Sequence, residues 1–495
     1  MTGYYTRPLG AFLPNIDATR APLEAGGLQL DSRQVVPGDV FFALAAEPLR
    51  SAHIAQALHK GARWIAVDEA LPLPAVATEQ LLALPSPKTH VANWAASFYG
   101  NPSQHMRLIG ITGTNGKSTT AFLLAQLLEA ASGQKGGVIG TLGFGHWAAE
   151  LTDTGKTTPD AINLQRILRS LVDEGITQVA MEVSSHALDQ GRVDGVQFAA
   201  AVYTNLSRDH LDYHGNMERY AEAKQRLFHW PQLPLAVLNQ DDAYSRKMQM
   251  GIAPSTRVLT YALQAAGDLV AEACSYTTEG IAFDLVGPQG RQRLTAPLLG
   301  RFNVENLLAS LTTLLALHPE AWPQLPHLLA GVQPVTGRMH LLSLPGVPKV
   351  VVDYAHTPDA LEKALAAVRV HATGRLWVVF GCGGDRDKGK RPLMAAAAEA
   401  GADRVVITSD NPRSEDPQQI LADIASGLKR SPWLVQVDRP AAIAASIAAA
   451  AVDDWVLLAG KGHETYQLVG TQILPMSDIA QAQAALALYP RSETL

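Results

Sequence analysis

Cysteine is scarce: Cys274 and Cys382 are the only two in 495 residues. Two thiols cannot form a disulfide framework, and so few fit a reducing compartment. An excess of basic residues is missing too. The net charge is -6, so the chain has no footprint for nucleic acid or an anionic membrane. No run of 18 apolar residues occurs, and Met1 to Arg20 lacks the apolar core of a signal sequence. The Ala-rich runs near Ala396 and Ala448 read as buried helix faces. There is no repeat and no low-complexity tract. Nucleic-acid binding, a membrane span and a disulfide scaffold are thereby excluded, and a cytoplasmic monomer is expected. What is present is 47% hydrophobic and 17% charged, a globular composition. Its length suggests about three domains.

Composition shifts place the domain boundaries at 1–87, 88–335 and 336–495. The first segment mixes Pro/Gly turns with short apolar strands, Val36 to Phe42 and Gly61 to Val67. The last alternates. Strands are predicted at Lys349 to Val352, Leu376 to Phe380, Arg404 to Thr408 and Trp455 to Ala459. Helices are predicted at Pro358 to Val368, Pro392 to Ala400, Pro417 to Leu428 and Ala441 to Ala451. Such alternation gives βαβ units and a parallel sheet, so the fold class is α/β. Ligands on such sheets lie beyond the carboxyl ends of the strands. Four loops there hold most of the segment's glycine and charge: 353–356, 381–391, 409–417 and 460–464.

The middle segment carries Gly110-Ile-Thr-Gly113-Thr-Asn-Gly116-Lys117-Ser118-Thr119-Thr120. An apolar strand, Leu108 to Ile111, precedes it and an apolar helix, Ala121 to Leu128, follows. Strand, glycine loop, Lys-Ser, helix is the layout of a phosphate-binding loop. Backbone N–H groups cradle phosphate oxygens, Lys117 reaches the β/γ-phosphates, and the Ser118 hydroxyl holds Mg²⁺. The usual pattern has glycine at 111, where this chain has Ile. An ordinary strand-to-helix turn is the plain alternative.

Two constellations follow. Met181-Glu182-Val183-Ser184-Ser185-His186 ends the apolar run Gln178 to Met181, and Glu182 is placed to give a nucleotide's Mg²⁺ a second ligand. A capping acid is the competing reading. Thr204 to Gly215 packs two His, two Asp and an Arg into one loop at the end of the strand Ala199 to Tyr203. A metal fits there; Zn²⁺ competes, without a cysteine or a second His-rich segment to support it. The helix Met217 to Phe228 puts Tyr220, Lys224 and Phe228 on one face. An inward lysine must be paired, neutralised or modified, unless it snorkels. Gly300 to Asn306 opens a helix running from Asn306 to Leu317, where Asn reads as a cap.

Taken in order, GITGTNGKST (110–119), TTP (157–159), MEVSSH (181–186), TNLSRDHLDYHG (204–215), YAEAK (220–224), GRFNVEN (300–306), GRM (337–339), VDYAHTP (352–358), GCGGDRDKGKRP (381–392), DNPR (410–413) and GKGHE (460–464) resemble the Mur ligases. Within them the match is nearest to the branch that extends UDP-N-acetylmuramoyl-dipeptide. The resemblance runs from Asp31 to about Tyr466. It implies a UDP-sugar-binding domain, a central ATPase domain and a C-terminal Rossmann-like domain for the amino acid. It implies that ATP phosphorylates the terminal carboxylate of UDP-N-acetylmuramoyl-L-Ala-D-Glu in peptidoglycan precursor synthesis. An amine then attacks the acyl phosphate, with two Mg²⁺ ions and Lys117 neutralising the approaching anions.

By position, the resemblance assigns Gly113, Thr114, Asn115, Gly116, Lys117, Ser118, Thr119, Asn303, Arg338 and Asp353 to ATP, which implies domain closure. His356 shares the Asp353 loop. Ser118 and Glu182 fall on the ligands of one Mg²⁺. His210 falls on a ligand of the second, with Lys224 as a CO₂ adduct, a carbamate that reverses the charge of the amine. Lys117, Lys224 and His210 are thus the implied catalytic residues. Leu30, Ser32, Thr157, Thr158, Ser184, Gln190 and Arg192 match UDP-sugar-dipeptide contacts. Arg391, Asp410, Asn411, Pro412, Arg413, Gly460 and Glu464 match contacts to meso-2,6-diaminopimelate. The physics of Arg413 agrees, because diaminopimelate differs from lysine by a distal carboxylate that a guanidinium grips bidentately.

Three places depart from the family pattern: His340 after Met339, the stretch Glu47 to His53, and Lys156. Rival readings are a lysine-adding or folylpolyglutamate-type ligase and a nucleotide-binding module without ligase activity.

Overall fold

The computed structural model describes residues 5–72 and 78–490. The chain divides into two compact units, residues 1–259 and 260–495.

The first unit holds two arrays, one parallel and one parallel except for its antiparallel edge strand Gly143–His146. One pairs Gly27–Gln29, Asp39–Phe42, Trp64–Asp68 and Leu81–Leu84 in that order, all parallel. The run Val40-Phe41-Phe42 is buried on both faces, as a helix-covered parallel strand must be. In the second array Arg107–Thr112 lies centrally, flanked by Gln178–Glu182 and Ala200–Tyr203. Leu235–Asn239 extends one side; Gly136–Gly140 and Gly143–His146 extend the other. The registers Glu182↔Ile111 and Tyr203↔Thr112 bring three strand ends to one edge. The glycine loop, Glu182 and the loop 204–215 therefore leave the sheet together. The helix after the glycine loop runs Lys117–Ser132, longer at both ends than its apolar core suggests.

The second unit contains a 6-stranded sheet. Its order is His340–Leu342, Lys349–Asp353, Trp455–Ala459, Leu376–Phe380, Arg404–Thr408, Leu434–Gln436. The pairing is parallel except at His340–Leu342, an antiparallel edge strand. The last strand inserts between the first two of the βαβ series. That reversal opens a crevice at the carboxyl ends of Asp353, Ala459 and Phe380.

Several elements have no counterpart in the sequence reading. An antiparallel meander covers Leu269–Thr277, Gly280–Gly287 and Gly290–Ala296. A hairpin, Tyr466–Val469 with Gln472–Pro475, and a helix, Asp478–Ala487, end the described chain. The helix expected from Asn306 begins at Arg301. Asn303 and Asn306 therefore lie inside it and do not cap it. The chain enters at Gly300, with φ 82°, a left-handed turn that suits glycine.

Arg439 fastens this unit. It is fully buried and grips Asp478, also fully buried, through Nε–Oδ1 at 2.8 Å and Nη2–Oδ2 at 2.6 Å. Its remaining N–H groups reach the carbonyls of Ser409 (3.2 Å) and Ala459 (3.0 Å). Those are the last residues before the loops 410–413 and 460–464. Removing one partner of a buried ion pair strands the other's charge. Arg439→Met is expected to cost about 3–5 kcal/mol of stability, read from denaturant unfolding, with Arg439→Met/Asp478→Leu recovering part of it.

Candidate active site

Gly113 (φ 154°) and Gly116 (φ 84°) shape the phosphate loop. A Cβ on Gly113 would collide with Thr204 Oγ1, so the loop closes against 204–207 only with glycine there. Thr114 N donates to Asn205 O (2.8 Å), Asn115 N to Asn205 Oδ1 (3.0 Å), and Thr204 Oγ1 to Asn115 O (2.7 Å). Asn205 and Thr204 thus hold the loop in shape. Neither was singled out in the sequence beyond its place in the TNLSRDH run.

Lys117 bends back onto its own loop, donating to Gly113 O (2.9 Å) and Thr114 O (2.8 Å). Lys224 Nζ donates to the same Gly113 carbonyl at 2.8 Å. It is 2% exposed, so it does not snorkel. Its ammonium sits 4.6 Å from the Tyr220 ring centroid. Burial, then the neighbouring Lys117 charge, pushes its pKa well below the ordinary lysine value, against a weaker pull from Asp209. The charged form of Lys224 is therefore costly in this site.

Ser118 Oγ donates to Glu182 Oε1 at 2.8 Å, and Thr141 N to the same oxygen at 2.9 Å. Glu182 is 2% exposed. A hydroxyl and a carboxylate side by side at a phosphate loop are a hard donor pair that suits Mg²⁺. Among the described residues, no three His, Cys, Asp or Glu side chains gather as a metal cage. His210 has a left-handed backbone (φ 52°) and lies 3.5 Å from Asp209 Oδ2. Its ring centroid is 4.9 Å from that of His186 and 6.1 Å from that of Tyr220. Lys224 as an ammonium is a donor and no ligand; as a carbamate it would offer oxygens beside His210's neighbour Tyr220.

A cavity of about 1900 Å³ opens in this unit, lined among others by Leu30, Ser32, His53, Gln190 and Arg192. Ser32 Oγ donates to Gln56 Oε1 (2.6 Å). Arg192 donates to Gln190 Oε1 (2.6 Å) and to Thr158 O (3.0 Å). Thr158 Oγ1 in turn donates to Glu182 O (2.9 Å) and accepts from Ser184 N (3.0 Å). Thr157 Oγ1 lies 3.0 Å from Thr141 Oγ1. Thr157, Thr158 and Ser184 thus connect the cavity wall to Glu182. Thr141, a link in that chain, was not found from the sequence; it sits alone after a strand, outside any charged motif.

In the second unit, Asn303 is 3% exposed and donates to Leu299 O (2.8 Å). Asp353 accepts from Met339 N (2.8 Å) and Ala355 N (2.9 Å). Burial raises its pKa against the opposing charge of Arg338. Arg338 stacks 4.7 Å from the Tyr354 centroid, and its Nε has no hydrogen-bond partner.

At the crevice of that sheet, Arg413 is half-buried with φ 52°. Its Nη1 donates to Gly384 O (2.9 Å), and no carboxylate lies within 4 Å among the described residues. A Cβ on Gly383 would come 2.8 Å from that Nη1, so glycine leaves the guanidinium room. The hairpin 466–475 pins the loop: Arg413 N donates to Leu468 O (3.0 Å) and Gly470 N to Arg413 O (2.7 Å). Asp410 and Asn411 are buried, and Gly460 (φ 116°) packs against Asp410. Arg391 is placed differently from Arg413. It is fully buried and already bonded to Glu415 (2.9 Å) and Asp423 (2.8 Å), with only Nε unpartnered. That grip holds the Glu415 carboxyl down at about 2.

Residues 111–314 match the Mur ligase middle domain, and residues 337–462 match the Mur ligase, glutamate ligase domain. The UDP-N-acetylmuramoyl-L-alanyl-D-glutamate–2,6-diaminopimelate ligase of Alkalilimnicola ehrlichii is 47% identical over 482 residues, 95% of this chain and 96% of that one. The ligase of the same name from Pseudomonas aeruginosa is 48% identical over 469 residues, covering 93% and 95%. A solved structure of a ligase of that name aligns with a TM-score of 0.71 at 37% identity, over 99% of each chain. The match is continuous through both sheets and nearly end to end, and the chain belongs to the Mur ligase family.

Proposed function

We propose that this chain is an ATP-dependent amide ligase that adds meso-2,6-diaminopimelate to UDP-N-acetylmuramoyl-L-alanyl-D-glutamate. The D-Glu carboxylate takes the γ-phosphoryl group of ATP, giving an acyl phosphate and ADP. The diaminopimelate amine attacks that carbonyl, and the tetrahedral adduct collapses to amide and phosphate. A free carboxylate is a poor electrophile; its mixed anhydride with phosphate supplies a leaving group. The domain division 1–87, 88–335 and 336–495 belongs to this proposal, as does a monomeric cytoplasmic enzyme; among the described residues no helix is long and apolar enough to cross a membrane.

The observation that carries the choice of amino acid is Arg413. Its guanidinium hydrogen-bonds only backbone carbonyls, and Asp385 feels its charge without forming an ion pair with it, so among the described residues a half-buried positive charge has no carboxylate bonded to it. The distal carboxylate of diaminopimelate would supply one; lysine would bring an ammonium to the same place. Glu464 is the acidic partner for an ammonium. Asp410, Pro412 and Gly460 shape the loop walls.

In the first unit, Ser118 and Glu182 would hold one Mg²⁺, and His210 with carbamylated Lys224 a second. When bound, these ions would neutralise phosphate charge. The site favours the carbamate because only an unprotonated amine adds CO₂, and burial together with the Lys117 charge makes the Lys224 proton easier to lose. Leu30, Ser32, Gln190 and Arg192, lining the large cavity, fit the UDP-sugar-dipeptide.

Phosphate release from ATP and UDP-N-acetylmuramoyl-L-Ala-D-Glu should depend on meso-diaminopimelate, with L-lysine a poor replacement. Equal or better use of lysine would overturn the assignment. Arg413→Ala should weaken diaminopimelate by about 2–4 kcal/mol, the scale of a charge-assisted pair, seen as KM for that substrate. Lys224→Ala should lose about 100-fold or more in kcat, the scale of lost electrostatic stabilisation. Wild-type activity should also fall on removal of CO₂ and bicarbonate. Full activity in either experiment would remove the carbamate from the reading.

A further inference from the structure

Lys461 is 0% exposed, yet lysine is seldom buried without a task. Its Nζ donates to Glu464 Oε2 at 2.7 Å and to Asn411 Oδ1 at 3.1 Å. It lies 5.7 Å from the Tyr466 ring centroid. Its two partners come from the two loops assigned above to the amino acid.

The network leaves no freedom in how those partners face the crevice. Asn411 Oδ1 takes two donors, Lys461 Nζ and Leu468 N (2.9 Å). Nitrogen in that place would set donor against donor, so the amide orientation follows from the bonding pattern. Asn411 Nδ2 then points the other way, donating one hydrogen to Glu464 Oε2 at 3.0 Å. Its second N–H has no partner among the described residues. Glu464 Oε2 is saturated by Lys461 and Asn411, while Oε1 has no hydrogen-bond partner there. Asn411 therefore offers a donor and Glu464 an acceptor. Arg413, using Nη1 on backbone carbonyls, keeps Nε and Nη2 free.

We propose that Lys461 is a positioning residue that sets the polarity of the amino-acid site: it fixes Asn411 as an N–H donor for a ligand carboxylate and Glu464 as the acceptor for a ligand ammonium. The inference rests on the assignment of these loops to diaminopimelate. Without the Lys461 charge, Asn411 Oδ1 keeps only the Leu468 N donor and its orientation is less firmly fixed, and Glu464 loses the cation that holds its Oε2. Recognition of a zwitterionic end then fails, while nucleotide binding is untouched.

The test is steady-state kinetics of Lys461→Met, Lys461→Arg and Asn411→Asp, with melting curves as the check on folding. Lys461→Met should raise KM for meso-diaminopimelate about tenfold or more, the effect of leaving buried polar partners unmatched. It should lower the preference for diaminopimelate over L-lysine, with KM for ATP and for the UDP-dipeptide within about twofold of wild type. Lys461→Arg, which keeps the charge, should restore much of the affinity. Asn411→Asp keeps an acceptor for Lys461 but turns the outward donor into an acceptor and sets a carboxylate against Glu464 Oε2, so its melting curve is read beside its kinetics. It should also raise KM for diaminopimelate selectively, and it decides the matter if Lys461→Met does not fold. An unchanged KM and preference in a folded variant would refute the role of Lys461. Failure of the wild type to release phosphate in response to diaminopimelate would instead refute the proposed function.

Discussion

The carbonyl of Gly113 is the constraint on which the first unit's site depends. Two lysine side chains, Lys117 and Lys224, donate to this one oxygen. Two ammonium groups bonded to one oxygen repel each other. Lys224 is the more deeply enclosed of the two and pays the larger desolvation, so it is the one driven toward the neutral form. Gly113 can bring its carbonyl there only because its φ of 154° is open to glycine and because a Cβ would strike Thr204. The phosphate loop, the loop 204–207 and the helix bearing Lys224 are thus fixed by a single backbone conformation. In the proposed carbamate, the same proximity changes sign and becomes attraction to Lys117.

The second unit solves the opposite problem. Its three fully buried cations among the described residues have their charge answered in place. Arg439 has Asp478, Arg391 has Glu415 and Asp423, and Lys461 has Glu464. Arg413, with carbonyls alone, stands out against that background. An unpaired cation inside a cleft is costly unless something arrives to match it, so discrimination comes from contrast as much as from contact. The paired cations keep the frame rigid, and the unpaired one reads the ligand.

Much of this was legible in the sequence. Four central strands of the second unit, Leu376–Phe380 and Arg404–Thr408 and Trp455–Ala459 among them, fall where continuous apolar runs between Gly/Pro turns put them. The inward face of Tyr220, Lys224 and Phe228 followed from helical spacing, and all three are buried. The meander 269–296 was missed although its middle strand Gly280–Gly287 is largely apolar; the strands on either side, Leu269–Thr277 and Gly290–Ala296, are mostly exposed or half-exposed and carry no clear hydrophobic period. The hairpin 466–475 was missed for the same reason: Gln472–Pro475 is exposed throughout, so no hydrophobic period marks it. Asn303 and Asn306 were read as caps because Asn favours that position; instead Asn306 Nδ2 donates to Asn303 Oδ1 within the helix.

What local pattern could not give is pairing across the chain. Arg391 and Arg413 look alike in sequence, each next to proline in a loop rich in charge. Only the fold shows that one has two carboxylates and the other none. The difference arises from Asp423, on the helix Pro417–Ala425, whose apolar face packs it against the helix Lys390–Gly401. The amphipathic spacing that buries Ile420, Leu421 and Ile424 also turns Asp423 toward Arg391. Core packing thereby decides which arginine is satisfied, and the selectivity of the cleft is set by contacts made beneath it.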